Sequence, residues 1–245
     1  MSAPKRFLTE NLIDYPAVSE VRLEGEQFNH AKNVLRLSVG AEITLLDGSG
    51  REYSAIIAAA GKHDFTAHIT GFSVGDKEPL VNVRLLMGAL KGDKTELVVQ
   101  KATELGVSSV GVFNSRYCSA FFNSESKLER LNKVAREATK QCMRSVAPKV
   151  EFFDKFEDAL ASAEGFENKL FACEFENNSQ ADMRKLSGTV CIVVGSEGGF
   201  SEEEYALARE RYGFSGITLG KRILRAETAA VALTAIVMFA LGEMG

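Results

Sequence analysis

Apolar and polar residues alternate along the first third of the chain. In AEITLLDGSGREYSAIIAAAGKHDFTAHITGFSV, residues 41–74, the alternation is interrupted by Asp47-Gly48-Ser49-Gly50 and by Gly61-Lys62-His63-Asp64. That pattern predicts three strands joined by turns, part of a small β-barrel. Ahead of them, EQFNHAKNVLRL predicts a short helix with Phe28, Ala31 and Leu35 on one face. The turn-forming stretch SVGDKEPL, around Gly75 and Pro79, marks a boundary, so residues 1–75 and 76–245 are expected to form separate domains.

From residue 80 the rhythm changes to apolar strands alternating with helices, the mark of an α/β layer around a mostly parallel sheet. VNVRLLMGAL, VSSVGVFN, KLFACE, GTVCIVVG and GITLG are the predicted strands. DKTELVVQKATELG predicts a helix capped by Asp93, with Glu96 three residues on and Gly106 closing it. SESKLERLNKVAREATKQCMRSVAP predicts a long helix stopped by Pro148. On it Leu128, Leu131, Ala135, Ala138 and Cys142 form a buried stripe, and Lys133, Arg136, Lys140 and Arg144 recur on the opposite side. SEEEYALARERYG and the apolar C-terminal run are the remaining helices. That last run, Ala229 to Leu241, is too short for the roughly 20 residues of a membrane span, so it reads as a buried helix or a subunit interface.

Charge changes this picture. The chain carries a formal net charge of −4, but residues 84–149 hold 12 basic and 6 acidic side chains, whereas residues 150–245 hold 9 and 16. Such asymmetry points to a polyanion-facing surface on an otherwise acidic protein, or to no more than a solvated helix face. Cys118, Cys142, Cys173 and Cys191 lack metal or redox spacing and read as free thiols of a reducing compartment. His30, His63 and His68 all fall in the first third, which leaves the rest without a histidine zinc site or a Ser-His-Asp triad, and no metal is expected. The opening MSAPKRFLTE lacks the apolar core of a secretory signal, so the expected location is the cytoplasm, with no membrane partner.

Two glycine-bearing loops follow predicted strands and lead into helices: CIVVGSEGGFSEEEYALA and GITLGKRILRAETA. The first fits neither GxGxxG nor GxxxxGK[ST]. Its helix opens with Ser201 and three glutamates, 202–204, which satisfy the cap and the helix dipole and would repel phosphate. Gly195, Gly198 and Gly199 serve either a ligand or only a tight turn. Two such loops at the carboxyl ends of strands, where open α/β sheets bind ligands, favour a ligand that is neutral or cationic.

The blocks VVGSEGGFSEEE, TLGKRILRAETAA, KGDKTELVVQKATELGV and KQCMRSVAPKV, following HAKNVLRL, resemble the ribosomal RNA small subunit methyltransferase E family of SPOUT-class enzymes. The resemblance implies a PUA-like β-barrel, an α/β domain with a trefoil knot, a homodimer, and S-adenosylmethionine (AdoMet) as cofactor. The implied reaction is methylation of N3 of one uridine, uridine-1498, in 16S ribosomal RNA or the small ribosomal subunit. By the same resemblance AdoMet lies among three loops: 170–174 with Leu170, Phe171 and Ala172; the turn of Gly195, Ser196, Glu197, Gly198 and Gly199; and 219–228 with Leu219, Gly220, Ile223, Leu224, Arg225 and Thr228. Ser196 stands where the family usually has proline.

AdoMet carries a sulfonium and no phosphate, so Glu197 beside it is tolerable. Uracil N3 must lose a proton before it attacks. Arg225 is the candidate to stabilise the resulting charge, and Glu227 or Glu197 the candidate base if burial raises its pKa. Alternatively, Glu227 only caps the last helix and pairs with Arg225. Arg6, Arg36, Lys91, Lys94, Lys101, Arg116 and Arg144 are assigned to RNA, although each taken singly is equally a plain surface charge. His30 either contacts RNA or caps its short helix. Two rivals remain. A non-catalytic RNA-binding ribosome-assembly factor would need no AdoMet, and a dinucleotide-dependent oxidoreductase is opposed by the three glutamates.

Overall fold

The computed structural model describes residues 5–121, 124–173 and 182–245. The chain forms two compact units, one of Met1–Glu78 with Thr139–Val146, the other of Pro79–Ala138 with Ala147–Gly245.

The first unit is a curled, half-barrel sheet of five strands: β1 (Lys5–Leu8), β2 (Glu20–Glu24), β3 (Glu42–Leu46), β4 (Arg51–Ala60) and β5 (Asp64–Val74), in the order β1-β3-β4-β5-β2. The three strands from β3 to β5 are those that the alternation predicts. Tyr53, Ala55 and Ile57 of β4 and Phe65, Ala67 and Ile69 of β5 point inward and are buried, while their neighbours face out. The short helix α1 (Gly25–Asn29) runs into a π-helical turn, His30–Val34, and closes this core with Phe28 and Ala31. The turn after β3 is tied by Asp47, which accepts hydrogen bonds from Ser49, from the Ile13 N–H and from the Tyr53 hydroxyl. β1 and β2, which the pattern did not predict, have four and five residues and pair only at the sheet's edges, too short to show a period.

The second unit is a six-stranded parallel sheet with helices on both faces. Its elements are β6 (Val83–Gly88), α2 (Lys94–Glu104), β7 (Ser109–Phe113), α3 (Glu125–Gln141), β8 (Lys149–Phe153), α4 (Phe156–Ala161), β9 (Asn168–Ala172), β10 (Val190–Val194), α5 (Glu202–Tyr212), β11 (Ser215–Ile217) and α6 (Ala226–Ala240). The strand order is β11-β9-β10-β6-β7-β8, every pair parallel. Of the central strands, β10 is apolar throughout and β6 is apolar apart from Arg84, because each face has its own core. Leu85, Met87, Ile192 and Val194 pack with α2 and α6; Leu86, Cys191 and Val193 pack with α4, α5 and the rings of Phe113, Phe171 and Phe200. Burial pushes the Cys191 thiol up to about 12, which makes it an inert packing group.

Two local expectations change, and one falls outside what is described. Asp93 occupies the position before α2 but makes no side-chain cap, and Thr95 accepts the Leu90 N–H instead. Glu174, at the end of the predicted strand KLFACE, lies outside the described residues. The long helix ends at Gln141, well before Pro148, and Met143 takes a left-handed φ of +67°. The reason is Glu78, whose carboxylate accepts the backbone N–H groups of Ser145 and Val146 and pairs with Arg144 at 2.9 Å. These bonds replace the next helical turn and keep residues 139–146 within the first unit.

Candidate functional site

The carboxyl ends of β9, β10 and β11 open into a cleft of about 1090 Å3. Its walls are the turn 195–199 and the loop 217–225, with Ala172 and Cys173 at the end of β9. The turn is built by close packing. Ser196 and Gly199 form a β-bridge, Gly199 has φ +67°, and a side chain on Gly88 would strike the Ser196 N–H at 2.5 Å. Phe200, next in the chain, anchors it in the aromatic core. α5 then begins with a complete capping box. The Ser201 hydroxyl accepts the Glu204 N–H, and the Glu204 carboxylate accepts the Ser201 N–H at 2.8 Å. The helix N-terminus is thereby occupied, as the sequence predicts, and offers no cradle to a phosphate.

The second loop turns at Gly220, φ +99°, and delivers Arg225 to the start of α6. Arg225 is largely exposed, and its guanidinium stands 4.0 Å from Glu227. The Glu227 side chain is only 14% exposed. One of its oxygens, Oε1, lies 3.5 Å from Lys94 Nζ, and the other, Oε2, is buried without a hydrogen-bond partner among the described residues. Lys94 also reaches Glu197 Oε1 at 3.3 Å, and the Lys91 N–H donates to that oxygen at 3.1 Å. Burial would raise the Glu197 carboxyl, but the Lys91 N–H, its own backbone and Lys94 together bring it below the usual glutamate range. Glu197 therefore lacks the raised pKa expected of a base.

Of the residues expected at the cofactor, Ala172, Gly195, Ser196, Glu197, Gly198, Gly199, Leu219, Gly220, Ile223, Leu224 and Arg225 meet on the cleft wall. Leu170 and Phe171 do not. They are buried in opposite cores, because consecutive residues of a strand face opposite sides of a sheet. Thr228 is exposed on α6 and outside the wall, and Glu227 is tucked behind it. Cys173, Lys221 and Arg222, which lie within the expected loops without having been singled out, also line the cleft, as does Lys94, which sequence reasoning placed on RNA. For Lys94 a signal existed, since its motif KGDK directly follows a strand end of the same sheet.

The residues assigned to RNA have different surroundings. Arg6 and Arg144 require correction. Arg6 forms two hydrogen bonds to Glu52 and a third to the Arg144 carbonyl, and Arg144, 4% exposed, is held by Glu78. A buried cation needs a buried partner, and both guanidinium groups have one. Lys101 pairs with Glu104 at 2.9 Å. Arg116 is exposed and reaches Glu203 at 3.2 Å. Arg36 is exposed with φ +53°, Lys91 is exposed, and His30 is half-buried at the start of the π-turn, where its carbonyl accepts the Leu35 N–H. Among the described residues no group of His, Cys, Asp or Glu is arranged to hold a metal, and no helix is long and apolar enough to cross a membrane.

Comparison with known proteins gives a consistent result. Residues 76–238 match the model of the RNA methyltransferase domain, and residues 23–70 that of the RNA methyltransferase PUA domain. The chain is 31% identical to ribosomal RNA small subunit methyltransferase E of Bacillus subtilis, covering 87% of this chain and 88% of the relative. For the protein of that name from Rickettsia conorii the identity is 32%, covering 87% of each. The crystal structure of the Neisseria gonorrhoeae ribosomal RNA small subunit methyltransferase E, bound to S-adenosyl methionine, superposes with a TM-score of 0.86 at 30% identity, covering 98% of both chains.

Proposed function

The chain belongs to the ribosomal RNA small subunit methyltransferase E family, and from that premise we propose that it methylates N3 of one uridine, uridine-1498, in 16S ribosomal RNA, using AdoMet. One observation carries the reading: the glycine turn and the 217–225 loop share a single cleft whose adjacent helix N-terminus is already capped. Such a site suits a ligand without phosphate. AdoMet is such a ligand, and the residues fit it. The turn 195–199 offers backbone groups, Leu219 and Leu224 offer apolar contact for adenine, and Glu197 tolerates a cation. When bound, AdoMet supplies an electrophilic methyl group on a sulfonium.

The chain's own residues then have distinct tasks. Arg225, exposed at the cleft mouth on the residue just before α6, stabilises negative charge as uracil N3 gives up its proton. Glu227, one oxygen of which lacks a hydrogen-bond partner among the described residues, is the carboxylate we assign to accept that proton, because the Lys91 N–H and Lys94 bring the Glu197 carboxyl below the usual glutamate range and so make it the weaker base. The first unit, matched by the PUA model, contacts RNA, and Ile236 and Phe239, exposed on α6, lie in a homodimer interface. The knot implied by the family resemblance and a cytoplasmic location belong to the same proposal.

Isothermal titration of the full chain with AdoMet, paired with mass spectrometry of 16S ribosomal RNA from a deletion strain, tests this. Heat on titration and one missing methyl group are expected. RNA binding without AdoMet binding would instead identify a non-catalytic assembly factor.

A further inference from the structure

Lys91-Gly92-Asp93-Lys94 joins β6 to α2 on the same side of the sheet as the glycine turn. Both lysines contribute polar groups to that turn: the backbone N–H of Lys91 and the ammonium of Lys94 converge on Glu197 Oε1. The Lys94 ammonium is also 3.5 Å from Glu227 Oε1, so one cation is shared by carboxylates from two different elements, the turn 195–199 and the start of α6. Its side chain is 29% exposed and lines the cleft. A phosphate contact would present its charge outward; here the charge is engaged.

Among the described residues, three other cations line this cleft. Arg225 stands 4.0 Å from Glu227 and is mostly in solvent, and Lys221 and Arg222 lie on the opposite loop, exposed. Without Lys94, the two carboxylates that lie 3.3 and 3.5 Å from its ammonium would lose the cation they share. Like charges so placed either separate or take up a proton. Separation would pull the glycine turn away from α6.

We propose that Lys94 is a positioning residue of the methyl-transfer site: by holding Glu197 and Glu227 to one ammonium, it locks the glycine turn against the start of α6 and keeps the cofactor cleft in register. This rests on the reading of the cleft as the AdoMet site. It assigns the KGDK motif to the cofactor half of the enzyme rather than to RNA.

The decisive measurement needs no cofactor. In full-length protein labelled with 13C-glutamate, the Glu197 carboxyl, assigned with Glu197→Gln, should titrate below the ordinary glutamate range. It should move up in Lys94→Gln, return part of the way in Lys94→Gln combined with Glu227→Gln, and stay low in Lys94→Arg. An unchanged Glu197 titration in Lys94→Gln overturns the shared-cation clamp.

Two binding measurements follow. AdoMet affinity should fall roughly tenfold in Lys94→Gln and by no more than about threefold in Lys94→Arg, while the salt slope of RNA binding stays at its wild-type value. A slope reduced by about one would make Lys94 a phosphate contact and overturn the assignment. If the wild type itself takes up no AdoMet, the functional reading of the cleft fails, while the carboxyl titration still decides whether Lys94 is the clamp.

Discussion

At Gly198 an added Cβ would stand 2.5 Å from the carbonyl oxygen of Tyr117 and 2.7 Å from that residue's own Cβ. A backbone oxygen cannot swing aside as a side chain would, so the turn must move. Gly198→Val should therefore lower AdoMet affinity at least tenfold by titration calorimetry while far-UV circular dichroism is retained; unchanged affinity would remove the turn from the site. Ser196 holds the turn where the family resemblance leads one to expect proline. Its side chain is buried, its hydroxyl donates to the same Tyr117 carbonyl at 3.3 Å, and its oxygen accepts the Gly198 N–H at 3.4 Å. Hydrogen bonds supply there what a fixed φ supplies elsewhere. Arg225 is the opposite case, a cation with 78% of its side chain exposed and only a 4.0 Å approach to Glu227. Arg225→Ala should cut turnover by about a hundredfold or more and leave AdoMet affinity within about threefold, the pattern for a group that acts in the transition state. Equal losses in both would make it a cofactor-binding residue.

Elements were legible where the period was long. The three strands from β3 to β5, the buried stripe of α3 and the strand-turn-helix units around both glycine loops all follow from spacing and turn residues. β1 and β2 did not, and neither did β8 nor α4, because KRFL, EVRLE, KVEFF and FEDALA mix charged with apolar residues and lack the continuous apolar run that marks an equally short strand such as VCIVV. The end of α3 was misjudged for another reason. Proline at 148 is a strong local stop, but the stop that operates is a carboxylate distant in sequence, Glu78, and no local window contains it. The same segment draws in Glu52, which accepts from Arg6 at 2.7 Å and from the Ser145 hydroxyl at 2.6 Å. The Arg6 guanidinium, chiefly, holds the Glu52 carboxyl below the usual glutamate range.

A depressed folded-state value gives stability that is present above the unfolded carboxylate's pKa, about 4.3, and is lost as pH falls through the folded one. The urea midpoint of the first unit should thus be flat from about pH 6 to 8 and fall on acidification. Glu52→Gln should start lower and lose less between neutral and acid pH; an acid slope equal to wild type would show that Glu52 is not the linked group. Arg144→Met should cost about 3 kcal/mol by urea denaturation, since it leaves the Glu78 carboxylate without its buried cation.

For the whole molecule, neither the strand order nor the partition of charge could be taken from local pattern. The order β11-β9-β10-β6-β7-β8 brings the ends of β9, β10 and β11 together, and only that arrangement turns two separate glycine loops into one cleft. Charge behaves similarly. Residues 84–149 carry a net +6, which predicts a polyanion surface, yet folding removes part of it. Arg144 is buried against Glu78, Lys94 is engaged in the cleft, and Lys101 pairs with Glu104. The face of α3 keeps Lys133 and Arg136 exposed, with Lys140 half-buried one turn further on. If that face meets the phosphate backbone, each contact releases counterions and adds roughly 0.7 to 0.9 to the slope of log affinity against log salt. Lys133→Glu with Lys140→Glu should then weaken binding to a 16S ribosomal RNA fragment and flatten the slope by about two, while AdoMet affinity stays unchanged. A weaker complex with an unaltered slope would mean that the reversal acts through distant repulsion and that RNA lies on another face.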